Sequence, residues 1–156
     1  MDANVVVKYY LDEPGSTWIR QLIEARDVIG RPAHVFFSAM ITITEVSAAI
    51  GIIQRVGRIS KRQRNIAFKR FMNESSRYQF IPVTDSLLVQ AANLAQQHPL
   101  KAYDAVQLAA ALFIKARVES NGHSLTFISG DKKLLTAAKA EGLQIDNPFD
   151  HTDLDP

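Results

Sequence analysis

Apolar positions along the chain fall into alternating long and short runs separated by turn residues, a pattern that predicts an α/β fold with a mostly parallel sheet. Val5 to Leu11 reads as a first helix, closed near Asp12-Glu13-Pro14-Gly15. Ser16 is placed to cap a second helix through Ala25. His34 to Ser38 predicts a short buried strand, and Met40 to Gln54 a helix whose Ile- and Thr-rich start also suits a strand. Gly57 closes that helix and Ser60 opens another to about Ser76. Tyr78 to Val83 predicts a strand, with Pro82 at its end or at a sheet edge. Thr84 or Asp85 caps a helix from Ser86 to Gln97, and Ala102 to Val118 forms a long Ala- and Leu-rich one. A strand over Ser124 to Ile128, a helix from Lys132 to Ala140 ended by Gly142, and a last strand at Leu143 to Ile145 complete the series. This gives one domain over residues 2–146 and an acidic, loose tail over 147–156.

Composition narrows the possible chemistry. A chain of 156 residues, 47% hydrophobic and 22% charged, is an ordinary globular domain. With no Cys, disulfides, zinc–thiolate sites and thiol nucleophiles are excluded, and a reducing, cytoplasmic setting is expected. No secretory signal pattern opens the chain, and the uncharged stretch through Ser38, Thr42, Thr44 and Ser47 is too polar for a membrane span. The net charge is only +2, so affinity for nucleic acid must come from how charge is distributed.

Four carboxylates break the apolar pattern. From Pro32 to Gln54 the only charged side chain is Glu45, and from Ala102 to Ile114 it is Asp104. Asp2 precedes Val5-Val6-Val7, and Asp131 follows Leu125 to Ile128 closely. Each has a plain structural explanation: Asp131 and Asp104 as helix caps, Glu45 on a solvent-facing side, Asp2 as a frayed end. Yet an isolated buried carboxylate costs several kcal/mol or neutralises itself, so a shared explanation is attractive. Convergence on a divalent cation supplies one. Oxygen donors without Cys or a His pair select Mg²⁺ or Mn²⁺, which lower the pKa of bound water and stabilise a leaving oxygen in phosphodiester hydrolysis.

The same residues carry a family resemblance. Asp2-Ala3-Asn4-Val5-Val6-Val7-Lys8-Tyr9-Tyr10 with Pro14-Gly15-Ser16, Ile43-Thr44-Glu45-Val46, Lys101 to Ala109, and Phe127-Ile128-Ser129-Gly130-Asp131 to Leu135 resemble, in order, the motifs of a PIN domain of the VapC toxin type. The resemblance implies a compact three-layer α/β/α domain, frequently a homodimer. It also implies a Mg²⁺- or Mn²⁺-dependent ribonuclease acting on RNA, commonly a toxin silenced by a cognate antitoxin. Asp2, Glu45, Asp104 and Asp131 correspond to its catalytic, metal-holding acids, with Asn4 and Ser129 in supporting positions. In the family the first Asp ends a central apolar strand, whereas here only Met1 precedes Asp2, so the first strand is truncated. Asp2 is therefore expected to be displaced from the cluster or poorly ordered. A form with an apolar strand restored is expected to be more active, and the natural start could lie upstream.

Arg55, Arg58, Lys61, Arg62, Arg64, Lys69 and Arg70 form a basic run with no acid before Glu74. Such a run is commonly a solvated face. Its functional reading is an RNA-binding strip, with Arg55, Arg58, Lys61, Arg62 and Arg64 on phosphates and Tyr103, Tyr9 or Trp18 stacking on bases. Three functions follow for comparison. The first is a metal-dependent endoribonuclease. The second is a phosphoryl-transfer or receiver-like domain, weakened by the lack of a close Asp pair after a first strand. The third is a catalytically weakened PIN-like module that binds antitoxin or RNA.

Overall fold

Asp2 starts the first helix. In the computed structural model, which describes residues 1–156, its side chain accepts from the Ala3 amide and its carbonyl from the Val5 and Val6 amides. Helix α1 (Ala3–Tyr10) thus begins two residues earlier than the apolar run predicts. Val5, Val6 and Val7 favour strands intrinsically, but all are buried, and packing on every side outweighs that preference. There follow α2 (Ser16–Glu24), β1 (Phe36–Ala39), α3 (Thr42–Arg55) and α4 (Lys61–Asn73). Ser60 and Gln63 form a reciprocal capping box at the start of α4, so the hairpin between α3 and α4 is sharply defined. A 3₁₀ turn leads to β2 (Tyr78–Ile81), which ends where Pro82 can no longer donate to a ladder. Then come α5 (Asp85–Gln97), α6 (Ala102–Ser120), β3 (Thr126–Ile128), α7 (Lys132–Ala140) and β4 (Gln144–Asp146).

The fold is α/β, with all strands parallel to their partners, as the sequence pattern predicts. The strands form two separate pairs. β1 runs beside β2 with Phe36 opposite Tyr78 and Ala39 opposite Ile81; β3 runs beside β4 with Thr126 opposite Gln144. Helices cover both faces. On one, α5, α6 and α7 enclose Ala39, Ile81 and Phe127. On the other, α1 to α4 enclose Phe36, Tyr78 and Ile128. Alternation along each strand produces this division, since successive side chains point to opposite faces.

The segment after Asp146 is not loose, in contrast to its acidic composition. Pro148–Leu154 forms 3₁₀ turns with a kink at His151, and Asp155 accepts from the Gly15 and Thr17 amides at the start of α2. Gly15 has φ of 83° and lies against the Pro148 carbonyl, where a side chain would collide. The tail's negative charge is therefore used as a cap for unpaired helix N–H groups.

Candidate active site

Each predicted acid sits at a helix start: Asp2 before α1, Glu45 in α3 after β1, Asp104 in α6 after α5, and Asp131 between β3 and α7, and each is held differently. Asp2 is buried. Its Oδ1 accepts from Ala3 N at 2.6 Å, and its Oδ2 accepts from Asn4 Nδ2 at 2.5 Å and from Ser129 Oγ at 2.9 Å. Asp2 is thus neither displaced nor frayed: its partners come from α1 and from the loop after β3, far away in sequence. Asn4 also accepts from Gly130 N at 3.0 Å, and Ser129 Oγ accepts from Asp131 N at 3.0 Å. The two predicted supporting residues therefore lock Asp2 to the loop that carries Asp131.

Asp131 is the N-cap of α7, as its plain reading suggests. One oxygen accepts from Lys133 N and Leu134 N, at 2.7 and 3.1 Å, leaving the other without a protein donor. Glu45 lies in the first turn of α3, half-buried, and Asp104 in the first turn of α6. Their positions differ from simple caps because each carboxylate feels its neighbours. Burial pushes Asp2 up to about 6, opposed by the Ser129 hydrogen bond and assisted by the charges of Glu45 and Asp104. Burial and then the charge of Asp104 raise Glu45, against the Gln107 hydrogen bond. Burial and the charge of Asp131 raise Asp104, with Lys101 acting in the opposite sense. The four acids form one chain of mutual repulsion.

Gln107 is a site residue that the sequence reading missed. It is buried on α6, one turn after Asp104 and on the same side. Its amide donates to Glu45 Oε2 and Thr42 Oγ1, both at 2.7 Å, and its carbonyl oxygen accepts from Ala39 N at 3.3 Å. Ser38 Oγ donates to the Met1 carbonyl, so Thr42 must donate in the 2.7 Å contact between the two hydroxyls. A directed relay, Gln107 to Thr42 to Ser38 to Met1, therefore ties Glu45 to the backbone beside Asp2. A Gln within an uncharged stretch was the available signal. The Met1 amine donates to Phe37 O at 2.7 Å; burial lowers it to about 6, against the pull of Asp2.

No three acidic or histidine side chains meet closely enough to enclose an ion unaided. Mg²⁺ is ordinarily bound through one or two carboxylates plus waters and substrate phosphate, so an open oxygen-rich cluster fits that ion, and the lack of thiolate and imidazole donors disfavours zinc. The basic run is divided by the fold. Arg55, Arg58, Lys61 and Arg62 are exposed around the hairpin between α3 and α4, while Arg64 is half-buried. Arg70 instead pairs with Glu74 and lies over Tyr9. Arg55 stands ten residues beyond Glu45 on α3, about 15 Å along the helix. Tyr9 is buried and Trp18 stacks on His151, so of the three aromatic candidates Tyr103 is the exposed one.

A family model for the PIN domain matches residues 1–140. The chain belongs to the PIN domain family. PIN domains are generally nucleases that require metal ions. No curated protein matches the chain. No helix of this PIN domain is long and apolar enough to cross a membrane.

Proposed function

We propose that this PIN domain is a Mg²⁺- or Mn²⁺-dependent endoribonuclease, and that it is the toxin of a toxin–antitoxin pair of the VapC type. The observation that carries the nuclease reading is the linked set Asp2, Glu45, Asp104 and Asp131, drawn from four helix starts into mutual electrostatic contact. Repelling carboxylates held in place by uncharged donors are prepared for a cation, since binding one relieves the repulsion. In this reading Asp2, Glu45, Asp104 and Asp131 hold the metal, and Asn4, Ser129 and Gln107 position them. A bound divalent ion would supply an activated water and charge stabilisation for the leaving oxygen. Asp131, with one oxygen free of protein donors, and Asp104, half-buried, are the members best placed to face solvent and substrate.

Arg55, Arg58, Lys61, Arg62 and Arg64 would bind RNA phosphates without reading sequence. The cognate antitoxin, the homodimer and a cytoplasmic location rest on the likeness to VapC-type motifs, as does a catalytic unit spanning 2–146. The test is cleavage of a single-stranded RNA panel with Mg²⁺ or Mn²⁺, with EDTA, and with Asp104→Asn. Metal-dependent cleavage that Asp104→Asn abolishes supports the reading. RNA binding without cleavage would leave the catalytically weakened binding module as the better description.

A further inference from the structure

The segment after β4 reaches back to the acidic site. Ser129 N donates to Asp146 O at 3.2 Å, so β4 ends beside the loop that carries Asp131. The chain then turns sharply. Asn147 is buried and its side chain accepts from Phe149 N at 3.1 Å, while Pro148 is buried against Gly15. This Asx turn fixes the direction in which the Phe149 ring leaves the backbone. The ring comes to rest between two parts of the site. Lys8 Nζ of α1 lies 4.3 Å from its centroid, a cation–π contact made by a buried ammonium that also donates to Pro14 O at 2.8 Å. The ring edge lies on Gly130, so close that a methyl group on that glycine would stand 2.9 Å from a ring carbon. Gly130 is not among the glycines with positive φ, so its missing side chain serves close approach and not a special backbone conformation.

Gly130 is the middle of the loop that joins two of the acids. Its amide donates to Asn4 Oδ1 at 3.0 Å; before it Ser129 holds Asp2, and after it Asp131 starts α7. Phe149 itself is 46% exposed, so core burial does not account for how closely its edge is fitted to this glycine. We propose that Phe149 is a positioning residue of the acidic site. Its ring, steadied by Lys8, holds the Ser129–Asp131 loop down on Asn4 and so sets where Asp131 stands relative to Asp2, without itself meeting metal or RNA. A loop free to lift from Asn4 would carry the Asp131 carboxylate with it, and Mg²⁺ tolerates little departure from octahedral geometry. The consequence for metal binding rests on the nuclease reading above; the positioning of the loop does not.

Phe149→Ala, Phe149→Tyr and Asp155→Ala are compared with the unaltered chain. Asp155→Ala frees the far end of the tail from the Gly15 and Thr17 amides and so reports what tail docking alone contributes. Phe149→Ala speeds hydrogen exchange at the Gly130 and Asp131 amides by about tenfold beyond the effect of Asp155→Ala. It also weakens Mn²⁺ binding, read by calorimetry without RNA, by about tenfold. Phe149→Tyr, which keeps the ring, restores both. Gly130→Ala weakens Mn²⁺ binding in the unaltered chain and changes little in Phe149→Ala, because both disturb one contact. Unchanged exchange at the two amides overturns the proposal. So does an equal effect of Phe149→Ala and Asp155→Ala, which makes the ring a part of tail docking only, and so does faster exchange with Mn²⁺ affinity unaltered. Faster exchange in a chain that binds no Mn²⁺ in any form upholds the positioning of the loop and overturns the metal reading instead.

Discussion

Ser129 Oγ donates to the Asp2 carboxylate at 2.9 Å, joining residues 127 positions apart. The bond closes the loop after β3 onto the start of α1, and the Asp131 amide donates to the same hydroxyl. One buried side chain therefore orients two of the four acids. The bond favours the charged form of Asp2, yet burial outweighs it and the carboxyl still rises to about 6.

That rise makes stability depend on pH in a definite direction. Between its ordinary value of 3.8 and about 6, Asp2 stays protonated in the folded chain while the unfolded chain has released its proton. The folded state then binds more protons, so without metal stability falls as pH increases from about 4 to 6. The difference corresponds to about 3 kcal/mol for a fully buried carboxyl. Denaturant titration in EDTA across this window should show the decline, and Asp2→Asn should reduce it, leaving the part contributed by the raised Glu45 and Asp104. The Met1 amine, lowered to about 6, acts above that window with the opposite slope. A flat profile from pH 4 to 6 would contradict the burial assigned to Asp2.

Divalent metal should reverse the penalty. Saturating Mg²⁺ or Mn²⁺, at about a hundred times its Kd, adds about 2.7 kcal/mol by linkage, read as a rise in Tm. Asp104→Asn should lose most of that rise while remaining folded, because Asp104 is half-buried and its charge acts on both Asp2 and Glu45. An equal Tm rise in the variant would remove Asp104 from the metal site.

Gln107→Leu should destabilise the chain by about 1–3 kcal/mol, since the swap leaves the half-buried Glu45 and the buried Ala39 amide without their partner and removes the donor that Thr42 accepts from. Equilibrium denaturation gives the stability. The pKa of Glu45, followed by NMR, separates positioning from packing: without its donor the carboxyl should rise further. An unmoved Glu45 with reduced stability would leave Gln107 a packing residue only.

The sequence made the helices and three of the acids readable for a common reason. Glu45 and Asp104 interrupt apolar runs, and Asp131 sits between a strand and a capped helix, so local pattern alone marks them as unusual. The placement of Asp2 is not legible because chain ends fray unless something distant holds them: Asn4 is close in sequence, but Ser129 reaches Asp2 only when β3 docks. Gln107 is only weakly marked for a related reason: a Gln in an uncharged, Ala-rich helix stands out, but the sequence shows no sign of which way it faces. Periodicity also finds strands without saying which pair, so the division of the sheet into β1–β2 and β3–β4 required the fold itself. Acidic composition in the tail suggests solvation, whereas Asp155 caps the start of α2.

The exposed hairpin between α3 and α4 should govern RNA affinity and leave chemistry alone. Arg58, Lys61 and Arg62 are exposed and belong to no salt bridge, unlike Arg70, whose contact with Glu74 and Tyr9 gives it a structural task. Phosphate contacts release counterions whatever the base, so replacing all three with Ala should weaken binding about equally across RNA sequences. For single strands the slope of log K against log salt should become shallower by about 2. Because the strip begins about 15 Å along α3 from Glu45, turnover at saturating RNA should change little. Fluorescence anisotropy at several salt concentrations, paired with single-turnover cleavage, measures the two effects separately. Unaltered affinity and slope would make this face a solvated one, and a loss confined to turnover would move its role into the acidic site.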